Sequence, residues 1–255
     1  MVADAGHALL TPAAAHCPAN PDCVSPRRPF WHATALRTMA SMVNWAVKAR
    51  ISKAKGNIMQ TKLIEREWID PDAVPGETHR VTDLTDAAEP QWIGIVDLGP
   101  SATYTLDEKK RHDLYVLRGN IAINGHSFDA DDFLIRCDAP LVQAGEGGAR
   151  LLLYREASAS QCDPIVRSAR ARVWRNGINP RMHVVPLASG RQHVSLVEFQ
   201  PGAQTHDHTH PSGEEIFVLS GELRDANERY PAGTWLRLHP GARHAPFAEV
   251  PRRSS

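Results

Sequence analysis

Short apolar runs separated by turn residues recur along most of the chain. WIGIVDL (92–98), DLYVLRG (113–119), DFLIRC (132–137) and LLLYRE (151–156) form one series. VSLVEF (194–199), EIFVLSG (215–221) and TWLRLH (234–239) form a second. Runs of this length, rich in β-branched and aromatic residues and bounded by Gly, Pro, Asn and Asp, predict strands rather than helices. The two series are copies of each other. Residues 104–135 align without gaps on 206–237, an offset of 102 (206 − 104), and QWIGIVDLGPSA (91–102) is set against HVSLVEFQPGAQ (193–204) at the same offset. A repeat this long indicates duplicated domains rather than a solenoid. The expectation is therefore an all-β chain of two domains, each a sandwich or jelly-roll barrel. The first is expected over 59–157 and the second over 165–255, with the polar stretch 158–164 as linker. The counterpart of LLLYRE would fall at 253–258, while the sequence ends at Ser255. The second domain is thus expected to lack its last strand and to expose an edge that needs cover.

Residues 1–58 have a different composition. Between Val24 and Ile64 there is no Asp or Glu, against eight Lys and Arg. The stretch ALRTMASMVNWAVKARISKAK reads as a basic amphipathic helix, within a leader that is either poorly ordered or lies upstream of a translation start at Met59. Over the whole chain, 29 basic residues balance 29 acidic ones, which gives no electrostatic reason for a nucleic-acid or membrane partner. No apolar run approaches the length of a bilayer span. Cys17, Cys23, Cys137 and Cys162 form no CxxC pair, and this favours reduced thiols and a cytoplasmic location.

Chemistry concentrates in HDHTHPSGEE (206–215). Residues two apart in a strand face the same way, so His206, His208 and His210 would line one face. Neutral imidazoles joined by one carboxylate suit a first-row divalent metal. Pro201-Gly202 followed by His208, His210, Glu214 and Gly221 has the spacing of the first cupin motif. Gly233 and Pro240-Gly241-Ala242-Arg243-His244 complete the second motif, with His239 where many cupins have proline. The segment resembles the ChrR-type cupins, the metal-binding domain of certain anti-sigma factors and their stand-alone relatives. That resemblance implies two tandem cupin jelly-roll barrels with metal ligands His208, His210, Glu214 and His244. It leaves His206 as a residue behind the ligands and Glu215 outside the site. Arg243 and His239 read as loop surface, and Trp235 as core.

The offset converts the four ligands into Leu106, Glu108, His112 and Val142. Two aliphatic residues leave no equivalent site, so the first copy is a degenerate barrel, in which Glu108 and His112 are expected as a surface ion pair. No catalytic residue beyond the ligands can be named. The resemblance implies one divalent metal, Fe(II) or Zn before Mn or Ni, and a non-haem iron dioxygenase acting on a small diketone or hydroxyaryl ketone. The alternative it implies is a zinc-binding sensor, although the HxxxCxxC motif by which ChrR-type proteins hold a sigma factor is missing here. Metal-assisted isomerisation or hydrolysis is the third class. The expected partner is a small-molecule substrate or effector, and a homodimer is compatible with the family.

Overall fold

Alternation of apolar and polar positions becomes strand through most of what the computed structural model describes: residues 6–11, 58–64, 78–86, 89, 91–108, 110–156, 162–189, 193–226 and 228–250. Two strands come from the N-terminal segment, β1 (Gly6–Thr11) and β2 (Ile58–Leu63). The first repeat holds β3 (His79–Asp83), β4 (Gln91–Leu98), β5 (Thr103–Thr105), β6 (Arg111–Ile123), β7 (His126–Asp129), β8 (Phe133–Arg136) and β9 (Leu141–Glu156), followed by β10 (Ile165–Arg167). The second repeat holds β11 (Arg175–Asn176), β12 (Met182–Ala188), β13 (Val194–Phe199), β14 (His208–Thr209) and β15 (Glu214–Val218). It continues with β16 (Glu222–Arg224), β17 (Arg229–Pro231), β18 (Thr234–Leu238) and β19 (Arg243–His244). The stretch read as a basic helix lies outside the described residues.

The chain divides into two units, Glu67–Arg172 and Val173–Ser255 together with Met1–Arg66. In the first unit the sheet order is β10-β8-β6-β9-β4-β3, with β5 on β9 and β7 on β6. Its core takes alternate residues of each strand, Val96 and Leu98, Leu114 and Val116, Leu151 and Leu153, because a half-turned pleat sends every second side chain to the same face. The boundary expected at residue 165 falls later. Ile165 pairs with Ile135, so β10 extends the first unit's sheet. That pairing also brings Cys137 and Cys162 together in a disulfide. Reduced thiols were expected from the absence of a CxxC motif, but the pairing arises from strand register between residues 25 apart, which no local spacing signals.

In the second unit the order is β11-β12-β13-β1-β15-β18-β2. Here β13, β15 and β18 stand where β4, β6 and β8 stand in the first. The expected open edge is not present. The place of β9, between β4 and β6, is taken in the second unit by β1, between β13 and β15. The place of β10, beside β8, is taken by β2, which pairs with β18. Strand β1 thus makes part of the expected leader structural, and β2 carries residues 59–63, expected in the first domain, into the second unit. One detail of the repeat changes as well. Val96 and Leu98 face the first core, whereas Val197 and Phe199 face the second, so these strands correspond at an offset of 101 (197 − 96). A slip of one residue exchanges the faces of a strand, and the gapless alignment of 91–102 put each of them on the wrong side.

Glycine is required where β2 leaves the sheet. Gly233 has φ +89°, and a Cβ there would stand 2.5 Å from the carbonyl oxygen of Ile64, whose amide donates to the carbonyl of Gly233 at 2.9 Å. A side chain would close the space through which the backbone passes.

Candidate metal centre

Three backbone segments of the second unit converge at one end of its sheet. Strands β14 and β19 pair so that His208 lies directly opposite His244. The chain then turns at His210, where the amide of Gly213 donates to the carbonyl of His210 at 2.9 Å and Gly213 takes φ +81°. That turn delivers Glu214 as the first residue of β15. The His210 carbonyl also accepts from the amide of Gly241 at 2.8 Å, which ties the β18–β19 turn to the same point.

The result is a cluster of three imidazoles and one carboxylate. Ligand nitrogens of His208, His210 and His244 all lie within 4.8 Å of one another. The ring centroids are 4.6 Å apart for His208–His210, 4.7 Å for His208–His244 and 5.0 Å for His210–His244. Glu214 Oε2 stands 3.0 Å from His244 Nε2 and 3.4 Å from His210 Nε2. The side chains of Glu214, His244 and His210 are 5%, 7% and 13% exposed, so water does little to screen them from each other. His210 Nε2 and His244 Nε2 are only 3.0 Å apart, and two neutral imidazoles presenting lone pairs at that distance repel unless a proton or cation lies between them. His208 Nδ1 lies 2.8 Å from the carbonyl oxygen of His206. A carbonyl can only accept, so this contact places the proton on Nδ1 and leaves the Nε2 lone pair free for a ligand role. The donor set fits a divalent transition metal, with His208, His210, His244 and Glu214 as the residues that would hold it. Among the described residues no other group of three His, Cys, Asp or Glu has this convergence.

The neighbours sort themselves by strand face. Glu215 points away from the cluster and is buried against Arg237, whose Nε donates to its Oε1 at 2.7 Å. His206 is exposed; its carbonyl faces His208 Nδ1 and its ring lies 5.8 Å from the His208 ring. His239 is exposed, and Trp235 is fully buried. Arg243 lies on the surface and donates through Nη2 to Asp207 Oδ2 at 2.7 Å, an interaction that holds the Asp207 carboxyl below the usual carboxylate range. Asp207 was not singled out in the sequence. Its only signal was its place between His206 and His208, and its partner Arg243 stands on the directly paired strand β19.

In the first unit the counterparts behave differently. Leu106 and Val142 are buried in the core. Glu108 is exposed, while His112 is 1% exposed, so the two do not form the surface ion pair expected of them. The reason is parity: His112 shares the inward face of β6 with Leu114 and Val116. Burial pushes its imidazole down to about 4, and its Nδ1 has no hydrogen-bond partner among the described residues.

Residues 163–252 match the family model of the ChrR cupin-like domain. Over those residues the second domain is similar to the ChrR-type cupins. No curated protein matches the chain. Among solved structures, a Nostoc punctiforme protein named as a candidate dioxygenase is 14% identical with a TM-score of 0.58, covering 75% of this chain and 76% of that one. GK1651 from Geobacillus kaustophilus is 11% identical with a TM-score of 0.55 over 77% and 94% of the two chains. Protein Ylba from E. coli is 16% identical with a TM-score of 0.50 over 77% and 90%. At these identities the likeness is one of fold. The chain has the fold of two tandem jelly-roll barrels, and the one that matches the ChrR-type model carries a histidine triad able to hold a divalent metal. No helix among the described residues is long and apolar enough to cross a membrane.

Proposed function

We propose that this bicupin is a metal-dependent enzyme of the non-haem iron dioxygenase type, acting on a small β-diketone or hydroxyaryl ketone. The observation that carries the reading is the convergence of His208, His210, His244 and Glu214 at one buried point. Bound there, Fe(II) would supply a Lewis acid with open positions at which an enolate-forming substrate is activated toward dioxygen. The chain's own part is to set up that position. The His206 carbonyl orients the His208 ring, the β14–β19 pairing fixes His208 against His244, and Glu214 brings one negative charge. That charge offsets half of a divalent ion's, and a mono-anionic enolate would complete the balance in a poorly solvated site.

A second reading, a zinc-binding sensor, is favoured by the ChrR-type match itself. The same donor set accepts zinc, and a sensor needs no turnover. The two separate in one experiment. Protein purified without a polyhistidine tag is analysed for metal beside a His208→Ala/His244→Ala double variant, and oxygen uptake is followed with a β-diketone and a hydroxyaryl ketone. About one iron per chain, lost in the double variant, with substrate-dependent oxygen uptake, is the expected result. Tight zinc with no oxygen uptake would replace the enzyme reading by the sensor. Conversion of the ketone under anaerobic conditions would point to hydrolysis or isomerisation instead.

A further inference from the structure

The ChrR-like barrel contains a strand that its own continuous sequence does not supply. In the first barrel Leu151 of β9 is in register with Val96 on one side and Val116 on the other. In the second, Ala8 of β1 is in register with Val197 and Val218. Two positions further on the match repeats: Leu153 lies between Gly94 and Leu114, and Leu10 lies between Ser195 and Ile216. Both strands run antiparallel to both neighbours. β1 is thus the equivalent of the second half of β9, brought from the opposite end of the chain.

The position matters because it is central. Without β1, strands β13 and β15 would face each other across a gap about 9.6 Å wide, twice the spacing of paired strands. Two rows of backbone N–H and C=O groups would stand open in it, which is the template for adding an extended segment. The strand that loses its partner on this side is β15, whose first residue is Glu214, and the last residue of β1, Thr11, is in register with Glu215. The carboxylate of the proposed metal centre is therefore held on a strand that residues 6–11 clamp within one residue of it.

We infer that the ChrR-like barrel is a strand-acceptor site, that its occupant is residues 6–11 of the same chain, and that filling the slot sets how tightly the centre retains metal. The inference deepens the proposed function and rests on its assignment of the metal ligands. Main-chain hydrogen bonds supply the affinity of such a site, and alternate side chains supply its selectivity.

The test uses the full chain and Zn²⁺ as probe. Leu9, midway along β1 and in register with Leu196 and Phe217, is replaced by proline, which removes a donor and is not tolerated in a central strand. Leu9→Val is the control. The expected result is a Zn²⁺ affinity at least about tenfold weaker for Leu9→Pro, unchanged for Leu9→Val, and restored to Leu9→Pro by a synthetic peptide of residues 5–11 but not by its scrambled form. A folded Leu9→Pro protein that holds Zn²⁺ as tightly as the wild type overturns the inference, as does failure of the peptide to restore binding. Binding of the labelled peptide to Leu9→Pro and not to wild type is read independently of metal. A wild type that takes up no Zn²⁺ would thus sink the metal centre while the slot is still judged. If Leu9→Pro does not fold, the pair Leu10→Cys with Ser195→Cys decides. An intrachain disulfide at monomer mass, absent from Leu9→Cys with Ser195→Cys, supports the register, and its absence or its appearance only at dimer mass overturns it.

Discussion

At the scale of single residues, adjacent glutamates illustrate how strand parity assigns roles. Glu214 faces the imidazoles and Glu215 faces Arg237, both nearly free of solvent contact. Glu214→Gln is expected to lower metal affinity at least about tenfold while changing thermal stability little, measured by chelator competition beside thermal denaturation. Glu215→Gln should do the reverse. It leaves Arg237 buried without its carboxylate, at a cost of about 3 kcal/mol, with metal content unchanged. His112 gives a pH signature. Its folded value of about 4 lies below the usual 6.5, so on acidification the unfolded chain takes up a proton that the folded one refuses. The stabilisation is complete above pH 6.5 and is lost progressively as pH falls to about 4, on the order of 3 kcal/mol in all. Asp107, which raises the value, and Arg155 and Lys110, which lower it, only trim this effect of burial. A His112→Leu variant should show a flatter stability profile over the same window in denaturant titrations. The candidate triad of His208, His210 and His244 was legible in the sequence, the first two from local spacing and His244 through the family resemblance. The burial of His112 was not, since it depends on which face of β6 the rest of the barrel covers.

At the scale of elements, register decides what spacing could not. Gly233→Ala is expected to destabilise by about 1–3 kcal/mol, because a Cβ would press on the Ile64 carbonyl at a backbone angle that disfavours side chains. Hydrogen exchange should then rise first in β2 and β18, the strands that meet there. The Cys137–Cys162 disulfide closes a loop of 25 residues and, by loop-closure entropy, should stabilise the first unit by about 3 kcal/mol. Cys162→Ser, or reduction under native conditions, should lower its melting temperature and leave metal content unchanged. The seven apolar runs were legible as strands, β4, β6, β8, β9, β13, β15 and β18, since each carries its own signal, whereas the remaining strands were not named from the sequence. The one-residue offset between β4 and β13 was not legible, because shifting a short strand by one position leaves its composition the same and changes only the face that the core selects.

At the scale of the molecule, the metal is expected to act as a stabilising ligand of one unit. At a free concentration of about a hundred times Kd, Zn²⁺ should raise stability by about 2.7 kcal/mol. Protection from hydrogen exchange should be gained in β1 and β13–β19, with β3–β10 unaffected. Protection that rises equally in both units would contradict a single centre in the ChrR-like barrel. The first barrel has exchanged the ligand positions for Leu106 and Val142, which lie in its hydrophobic core, so burial of apolar surface does there what metal binding is proposed to do in the second.

The sequence by itself determined that the chain is all-β, that it is a duplication, and that four chemically matched residues recur at cupin spacing in one copy only. Each of these is a local or periodic property, carried by neighbours a few residues apart or by a repeat. Only the tertiary structure decided that residues 6–11 fill the sheet of the second domain, that Cys137 meets Cys162, and that Glu215 turns inward to Arg237 while Glu214 turns to the histidines. Backbone hydrogen bonds between strands are the same whichever residues supply them. A six-residue segment therefore carries little in its sequence to name its partner, and the vacancy between β13 and β15 becomes visible only once the rest of the barrel has folded around it.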